Sequence, residues 1–402
     1  MAESTAPLAE DEPEQLIGGL SGRLLGLVAL GSMASIVGRL VIAPMLPQII
    51  ADLGISPARA GLALSIMAGL TGVCRYPGGR LADRWSRKTV LVGALGLMIA
   101  GMVALAGAVT YGLFVLGTAL AGIGAGLYFP AGIALLTDVF DDRRGEAFGV
   151  NTAAFSLGGA LASGLAVAVL AVAGWRSAFL LVIAALTVTT VFMHIWNDEE
   201  YVVKRVGLAI RPTMGRLLGI AAIRRALVAY VLFAFVWQGT VNFLPTFLQV
   251  EKGFSGSLAS AAFASLFVVG TITNPLAGSL GDRIGYSTVG VGSAVAGSIG
   301  LTLVLLGGSL PLVIGGVLIF ATGLASFWPV MSAHVMDLFP ESSMGGDFGA
   351  IGSIYLGVGS LGPTYVGVVA EAHSYTVAFV GLSACLVIST FVMIWIVSGP
   401  SE

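Results

Sequence analysis

The sequence predicts an all-α membrane protein: twelve transmembrane helices in two pseudo-symmetric six-helix bundles. Three observations carry this. Hydrophobic residues make up 57% of the 402-residue chain and charged residues only 10%, whereas a soluble domain is about a quarter charged. The apolar residues gather into long runs separated by short polar ones. A charged hairpin between two such runs, PGGRLADRWSRKT from Pro77, returns in weaker form as PLAGSLGDRIGYS from Pro275.

A water-exposed surface cannot be covered with so few charges, so the covering solvent is lipid. In hydrocarbon every backbone polar group must be paired internally, which leaves helices or a closed barrel. Runs of about 20 residues suit helices and exceed barrel strands. The 57 glycines fit membrane helices that approach closely. Cys74 and Cys385 sit in apolar runs and read as packed thiols.

In chain order, residues 1–22 form an acidic tail (Glu3, Glu10, Asp11, Glu12, Glu14). No basic leader precedes the first apolar run, so that run is expected to be a retained span rather than a signal peptide. Runs near 24–50, 58–79, 88–110, 112–138, 146–173 and 177–197 build a first bundle, residues 23–197. Residues 198–220, with Lys204, Arg205, Arg211 and Arg216, read as a linker with a short surface helix. Runs near 221–250, 257–281, 287–308, 310–338, 347–371 and 375–398 build a second bundle, residues 221–398, followed by a tail at 399–402. Most of the 19 Lys and Arg fall on one side if the N-terminus is cytoplasmic; Arg59, Arg176 and Lys252 fall on the other. The excess of positive charge predicts cytoplasmic termini and an inner-membrane location.

The halves match at a steady offset. Asp83 pairs with Asp282, Gly79 with Gly278, Phe129-Pro130 with Trp328-Pro329, Asp138 with Asp337, Gly149 with Gly349, and Ala178-Phe179 with Ala378-Phe379. Each half has an even number of spans, so the copies run parallel, related by an axis along the membrane normal. Pro130 and Pro329 interrupt the backbone ladder at matching depth and predict bends there.

The segment GRLADRWSRK (Gly79 to Lys88) resembles the G-x-L-a-D-R-x-G-R-K signature of the major facilitator superfamily, with Ser86 where glycine is usual. The second copy keeps Gly278, Asp282, Arg283 and Gly285 but lacks the trailing basic pair, and DVFDDRRGEAFG from Asp138 resembles that family's loop between spans 4 and 5. The resemblance covers nearly the whole chain. It implies a secondary transporter working by rocker-switch alternating access, with no cofactor and no metal.

At the linker side, Asp83, Arg84, Arg87, Lys88, Asp138, Arg144, Asp282, Arg283 and Asp337 are the candidate gating residues. Asp83 can bond to backbone N–H groups, to Arg87 or Lys88, or to the Arg143–Arg144 pair. Half-solvated charge pairs are worth about 1 kcal/mol or less each, so a network of them can break in every cycle. Plain topology control by positive charge is the competing reading.

Arg39, in SIVGRLVIAPMLP, lies near the middle of span 1. An ionisable group there costs about 3 kcal/mol or more and should face a cavity. No Asp or Glu falls near the middle of any span, so Arg39 has no evident internal counter-ion and suits a carboxylate ligand, which it can hold bidentately. The resemblance supports this, since organic-anion members often carry an arginine in span 1. The competing reading is an arginine bonded to backbone carbonyls or to Asn151. Arg75, whose counterpart is Asn274, reads as a gating or structural residue, with a second anion contact as the alternative. Larger and polar side chains at similar depth, Tyr128, Phe129, Trp237, Gln238, Asn242, Phe243, Phe327, Trp328 and Tyr355, complete the expected substrate site.

The expected substrate is therefore a small organic anion, a monocarboxylate in the first instance, carried by a monomer in the lipid bilayer with protons or a counter-anion as coupling partner. Candidate coupling groups are His334 and Glu371. Drug–proton antiporters of the family carry an arginine early in span 4 and a Gly-Pro pair in span 5. Here Thr118 and Ala162-Ser163 stand at those places, while Gly362-Pro363 occurs in span 11. Export of amphipathic compounds, with Arg39 structural, is the alternative. Three scattered histidines and no phosphate loop or catalytic triad argue against an enzyme, and nothing points to nucleic acid.

Overall fold

The computed structural model describes residues 15–208, 210–337, 339 and 344–398. The expected acidic tail up to residue 14, the Arg211 side chain and the tail 399–402 lie outside them. Twelve helices among the described residues are long and apolar enough to cross a membrane. Spans 1–6 are Gly19–Leu53, Pro57–Arg84, Arg87–Ala106, Tyr111–Val139, Arg144–Val172 and Trp175–Trp196. Spans 7–12 are Ala221–Val250, Gly256–Ile284, Tyr286–Leu306, Leu310–Met336, Asp347–Ala372 and Tyr375–Val397. The linker contains one short helix, Ile210–Gly219.

Three spans are broken. Span 1 breaks between Gly19–Leu40 and Ile42–Leu53, span 2 between Pro57–Val73 and Arg75–Arg84, and span 11 between Met344–Gly359 and Leu361–Ala372. Each break residue, Val41, Cys74 or Ser360, stands three positions before a proline, Pro44, Pro77 or Pro363. A proline removes the N–H that would bond four residues back and crowds that carbonyl. The freed carbonyls belong to Leu40, Val73 and Gly359. The ladder resumes at once, as in Cys74 N to Leu70 O at 3.0 Å and Gly78 N to Cys74 O at 2.8 Å. Two of these irregularities lie beside Arg39 and Arg75. Spans 4 and 10, by contrast, run unbroken through Pro130 and Pro329.

The halves meet along spans 2 and 11. On the face away from the linker, a Cβ at Gly61 would collide with the Pro363 carbonyl, and one at Gly367 with the Pro57 carbonyl. Only a missing side chain allows so close an approach. Thr364 donates to Ser65 Oγ from its N–H at 2.9 Å and from its hydroxyl at 2.7 Å, and the Ala58 N–H donates to the Glu371 carboxylate at 3.2 Å. In the same region Ile42, Met45, Leu46 and Ile49 of span 1 and Phe243, Leu244, Phe247 and Leu248 of span 7 are fully buried. The bundles are therefore closed on this face. Ser65→Ala removes an acceptor from two hydrogen bonds across the contact. It should weaken closure by about 1 kcal/mol, read as faster amide hydrogen exchange in residues 57–65 and 361–367.

On the linker face the charged groups mostly bind within their own half. Arg87 holds Asp138 at 2.8 Å and Asp83 at 3.7 Å, tying the ends of spans 2, 3 and 4 together. Arg144 holds Asp141 at 2.5 Å and the Phe140 carbonyl at 2.9 Å. Lys88 is buried and donates to the Asn197 carbonyl at 2.6 Å. Tyr286 donates to Asp282 at 2.5 Å, while Arg84, Arg283 and Asp337 are exposed. Among the described residues no ion pair joins the two bundles directly. The linker straddles them instead. Its Lys204, Gly207 and Leu208 carbonyls accept from Trp85, Arg80 and Tyr76 of the first half at 2.7, 3.0 and 2.7 Å. Its Arg216 pairs with the buried Asp347 of the second, and that carboxylate holds the guanidinium above its ordinary pKa.

Candidate substrate site

The two broken spans of the first half place their arginines in one cavity. It is a small, partly open space of about 20 Å³, lined by Ser32, Ser35, Ile36 and Arg39 of span 1, Thr71 and Arg75 of span 2, Ala125, Tyr128 and Phe129 of span 4, and Phe155 of span 5. Ser32, Ser35 and Arg39 are spaced by three and four positions, so they share a helix face; Thr71 and Arg75 do the same. Among the described residues no carboxylate lines the space.

The guanidiniums are uncompensated. Arg39 Nε and Arg75 Nε are buried without a hydrogen-bond partner. Among the described residues neither side chain forms an ion pair. Asn151, expected as a possible partner of Arg39, is buried with its own Oδ1 unpaired. Arg75 lies 4.7 Å over the Phe129 ring, a cation–π contact of about 1–2 kcal/mol in a desolvated place. The two arginines are within electrostatic range of each other. Two like charges held together without an acid among the described residues make this space electropositive.

The expected site residues fall into three groups. Arg39, Tyr128 and Phe129 share the cavity. The Tyr128 hydroxyl, though, already donates to the Val28 carbonyl at 3.1 Å, in a notch that Gly31 leaves open; its ring, not a free hydroxyl, faces the space. Trp237, Trp328 and Tyr355 join an aromatic cluster of the second half. Tyr355 stacks on Tyr230 at 4.7 Å, Phe233 on Phe327 at 3.6 Å, and Trp237 meets Trp328 edge-on at 6.3 Å. Tyr355 is within electrostatic range of Arg75, which connects this cluster to the cavity. Gln238 and Asn242 are buried on span 7, where the Asn242 amide donates back to the Gln238 carbonyl at 2.8 Å. Of the coupling candidates, His334 lies half-buried within range of Asp337, and Glu371 sits in the closed contact already described.

Sequence reasoning left Arg75 between a gating or structural role and a second anion contact, and did not place it in the cavity beside Arg39. The cue was available: a second ionisable group deep in an apolar run with a hydroxyl, Thr71, one turn away. Ser32, Ser35 and Phe155 were missed because one serine or phenylalanine in a lipid-facing chain carries no signal.

A family model for the Major Facilitator Superfamily matches residues 28–363 and 227–402. The chain is 28% identical over 279 residues to the "Probable sulfoacetate transporter SauU" of Cupriavidus necator, covering 65% of each protein. It is 28% identical over 251 residues to the "Probable 4-methylmuconolactone transporter" of Cupriavidus pinatubonensis, covering 60% of this chain and 58% of that one. The aligned region thus spans less than two thirds of either relative. A 100-residue stretch, 25% of each chain, is 39% identical to the multidrug resistance protein MdtL of Escherichia coli. Among solved structures, a bacterial homolog of the human lysosomal transporter Spinster, inward-facing and occupied, superposes with a TM-score of 0.81 at 17% identity over 94% of this chain and 98% of that one. A D-xylose–proton symporter superposes at 0.75 with 16% identity over 93% and 97%. The twelve helices, the repeated hairpin and these matches make the chain a member of the Major Facilitator Superfamily, a multi-pass membrane protein.

Proposed function

We propose that the protein carries small organic anions across the cytoplasmic membrane by alternating access, with both chain ends and the linker on the cytoplasmic side. The observation behind this is the cavity holding Arg39 and Arg75 with no acid beside them. An anion bound there supplies the partners that the buried Nε groups lack, so the halves can close over a neutralised site. The empty cavity would have to bury bare cations to close, at about 3 kcal/mol or more each. The sulfoacetate relative named above points the same way, because sulfoacetate is an organic anion. Phe129, Phe155 and the aromatic cluster enclose the rest of the substrate.

The MdtL stretch favours a second reading, export of amphipathic compounds, in which the arginines are structural. One panel separates the two. Purified protein in liposomes is given labelled carboxylates and sulfonates, and separately cationic dyes. Saturable uptake of at least one anion, competed by others and indifferent to the dyes, is expected. Transport of dyes with no anion carried would select export.

A further inference from the structure

The geometry points to a substrate with two acidic groups, one for each of Arg39 and Arg75, rather than the monocarboxylate that a single guanidinium suggests. This rests on the organic-anion reading and narrows it. Both arginines line the same cavity, both keep a buried Nε without a partner, and among the described residues neither is paired with an acid. A monoanion would leave one of them uncompensated when the site closes. A dianion neutralises both and relieves their mutual repulsion. The second observation is local: each arginine has a hydroxyl group on its own helix, Ser35 one turn and Ser32 two turns from Arg39 and Thr71 one turn from Arg75, all lining the cavity. Two acidic groups can therefore each find a guanidinium, a pair of charge-assisted sites rather than one. The Thr71 hydroxyl donates to the Met67 carbonyl at 2.7 Å, so toward a ligand it accepts from water or a protonated group, while Ser32 and Ser35 donate. All these residues belong to the first half, so that half grips the acidic groups. The aromatic cluster of the second half, reached through Tyr355, covers the carbon body.

The test compares diacids with molecules of the same shape and one charge fewer. Malonate, succinate, glutarate and phthalate, each against its monomethyl ester, are titrated into purified full-length protein by calorimetry at fixed salt and pH 7. At least one diacid should bind about tenfold or more tightly than its ester, a factor that corresponds to about 1.4 kcal/mol. In Arg75→Gln, checked for folding by thermal melting, the ratio should fall to about one; Arg75→Lys should retain most of it. Esters binding as tightly as diacids in the wild-type protein overturn the proposal, and that arm needs no variant. A ratio unchanged in Arg75→Gln removes Arg75 from the site. If neither diacids, esters nor simple monocarboxylates bind, the organic-anion reading itself fails. If only the singly charged molecules bind, that reading stands and the two-charge inference falls.

Discussion

Arg39→Ala is expected to lower anion transport by about 100-fold or more while leaving the protein at least as heat-stable as the wild type. The first half of this expectation follows from the cost of removing one partner of a buried, hydrogen-bonded charge pair, about 2–5 kcal/mol. At about 1.4 kcal/mol per tenfold, the middle of that range gives the stated loss. The second half follows from the surroundings of Arg39 within the protein. Arg39 has a buried Nε with no partner and no acid nearby, so in the unliganded protein it is a burden of about 3 kcal/mol that truncation relieves. Function and stability should therefore move in opposite directions, as they do where a site is held ready for a ligand. A structural Arg39, bonded to carbonyls or to Asn151, predicts the reverse: a lower melting temperature and modest loss of transport. Arg39→Lys keeps the charge but loses the bidentate fork, and should fall between the two in transport.

A valine at Gly61 or Gly367 is expected to open the face away from the linker. At both positions a Cβ would meet a carbonyl oxygen of the other half, Pro363 or Pro57. Overpacking typically costs about 1–3 kcal/mol, and here the halves can escape it by separating. That energy corresponds to about 5- to 150-fold in a two-state equilibrium. A cysteine at Thr364, with Cys74 and Cys385 replaced by serine, should react with a maleimide about fivefold or more faster once Gly61→Val is added. The contrast is with glycines inside one half. A Cβ at Gly122 would strike the Met67 backbone, and one at Gly323 the Gly297 backbone. These contacts hold a bundle together and cannot be relieved by moving the halves apart. Valine there should reduce folded yield and melting temperature without raising the labelling rate. Equal behaviour of the two pairs would mean that the closed face is not a separable contact.

The fold was legible because it is written in period and repetition: two sets of six apolar runs and a charged hairpin repeated at Asp83 and Asp282. Arg39 was legible because charge in mid-span is costly and therefore conspicuous. The direction in which side chains point was not. In lipid both faces of a span are apolar, so the pattern that marks an inner face in water is missing. Arg75 could as well have turned along the membrane as into the cavity. The breaks at Val41 and Cys74 depend on which prolines interrupt a span and which are absorbed, and Pro44 and Pro130 look alike in sequence. Glu371, expected as a coupling candidate, lies at a contact between halves formed by residues some 313 positions apart, which no local pattern reveals. The charged cluster at the linker face is expected to hold the ends of the bundles together when the transporter faces outward; here the opposite face is the closed one, and the Arg87 pairs lie within one half.

The decisive measurement is an experimental structure of the protein with a tightly binding organic anion from the panel, brominated so that its position is unambiguous. The bromine should lie within the space bounded by Phe129, Phe155 and Tyr355, with the acidic oxygens within hydrogen-bond distance of the guanidiniums of Arg39 and Arg75. An anion seated elsewhere, with both guanidiniums bound to backbone carbonyls or to an acid of the chain, would contradict the account.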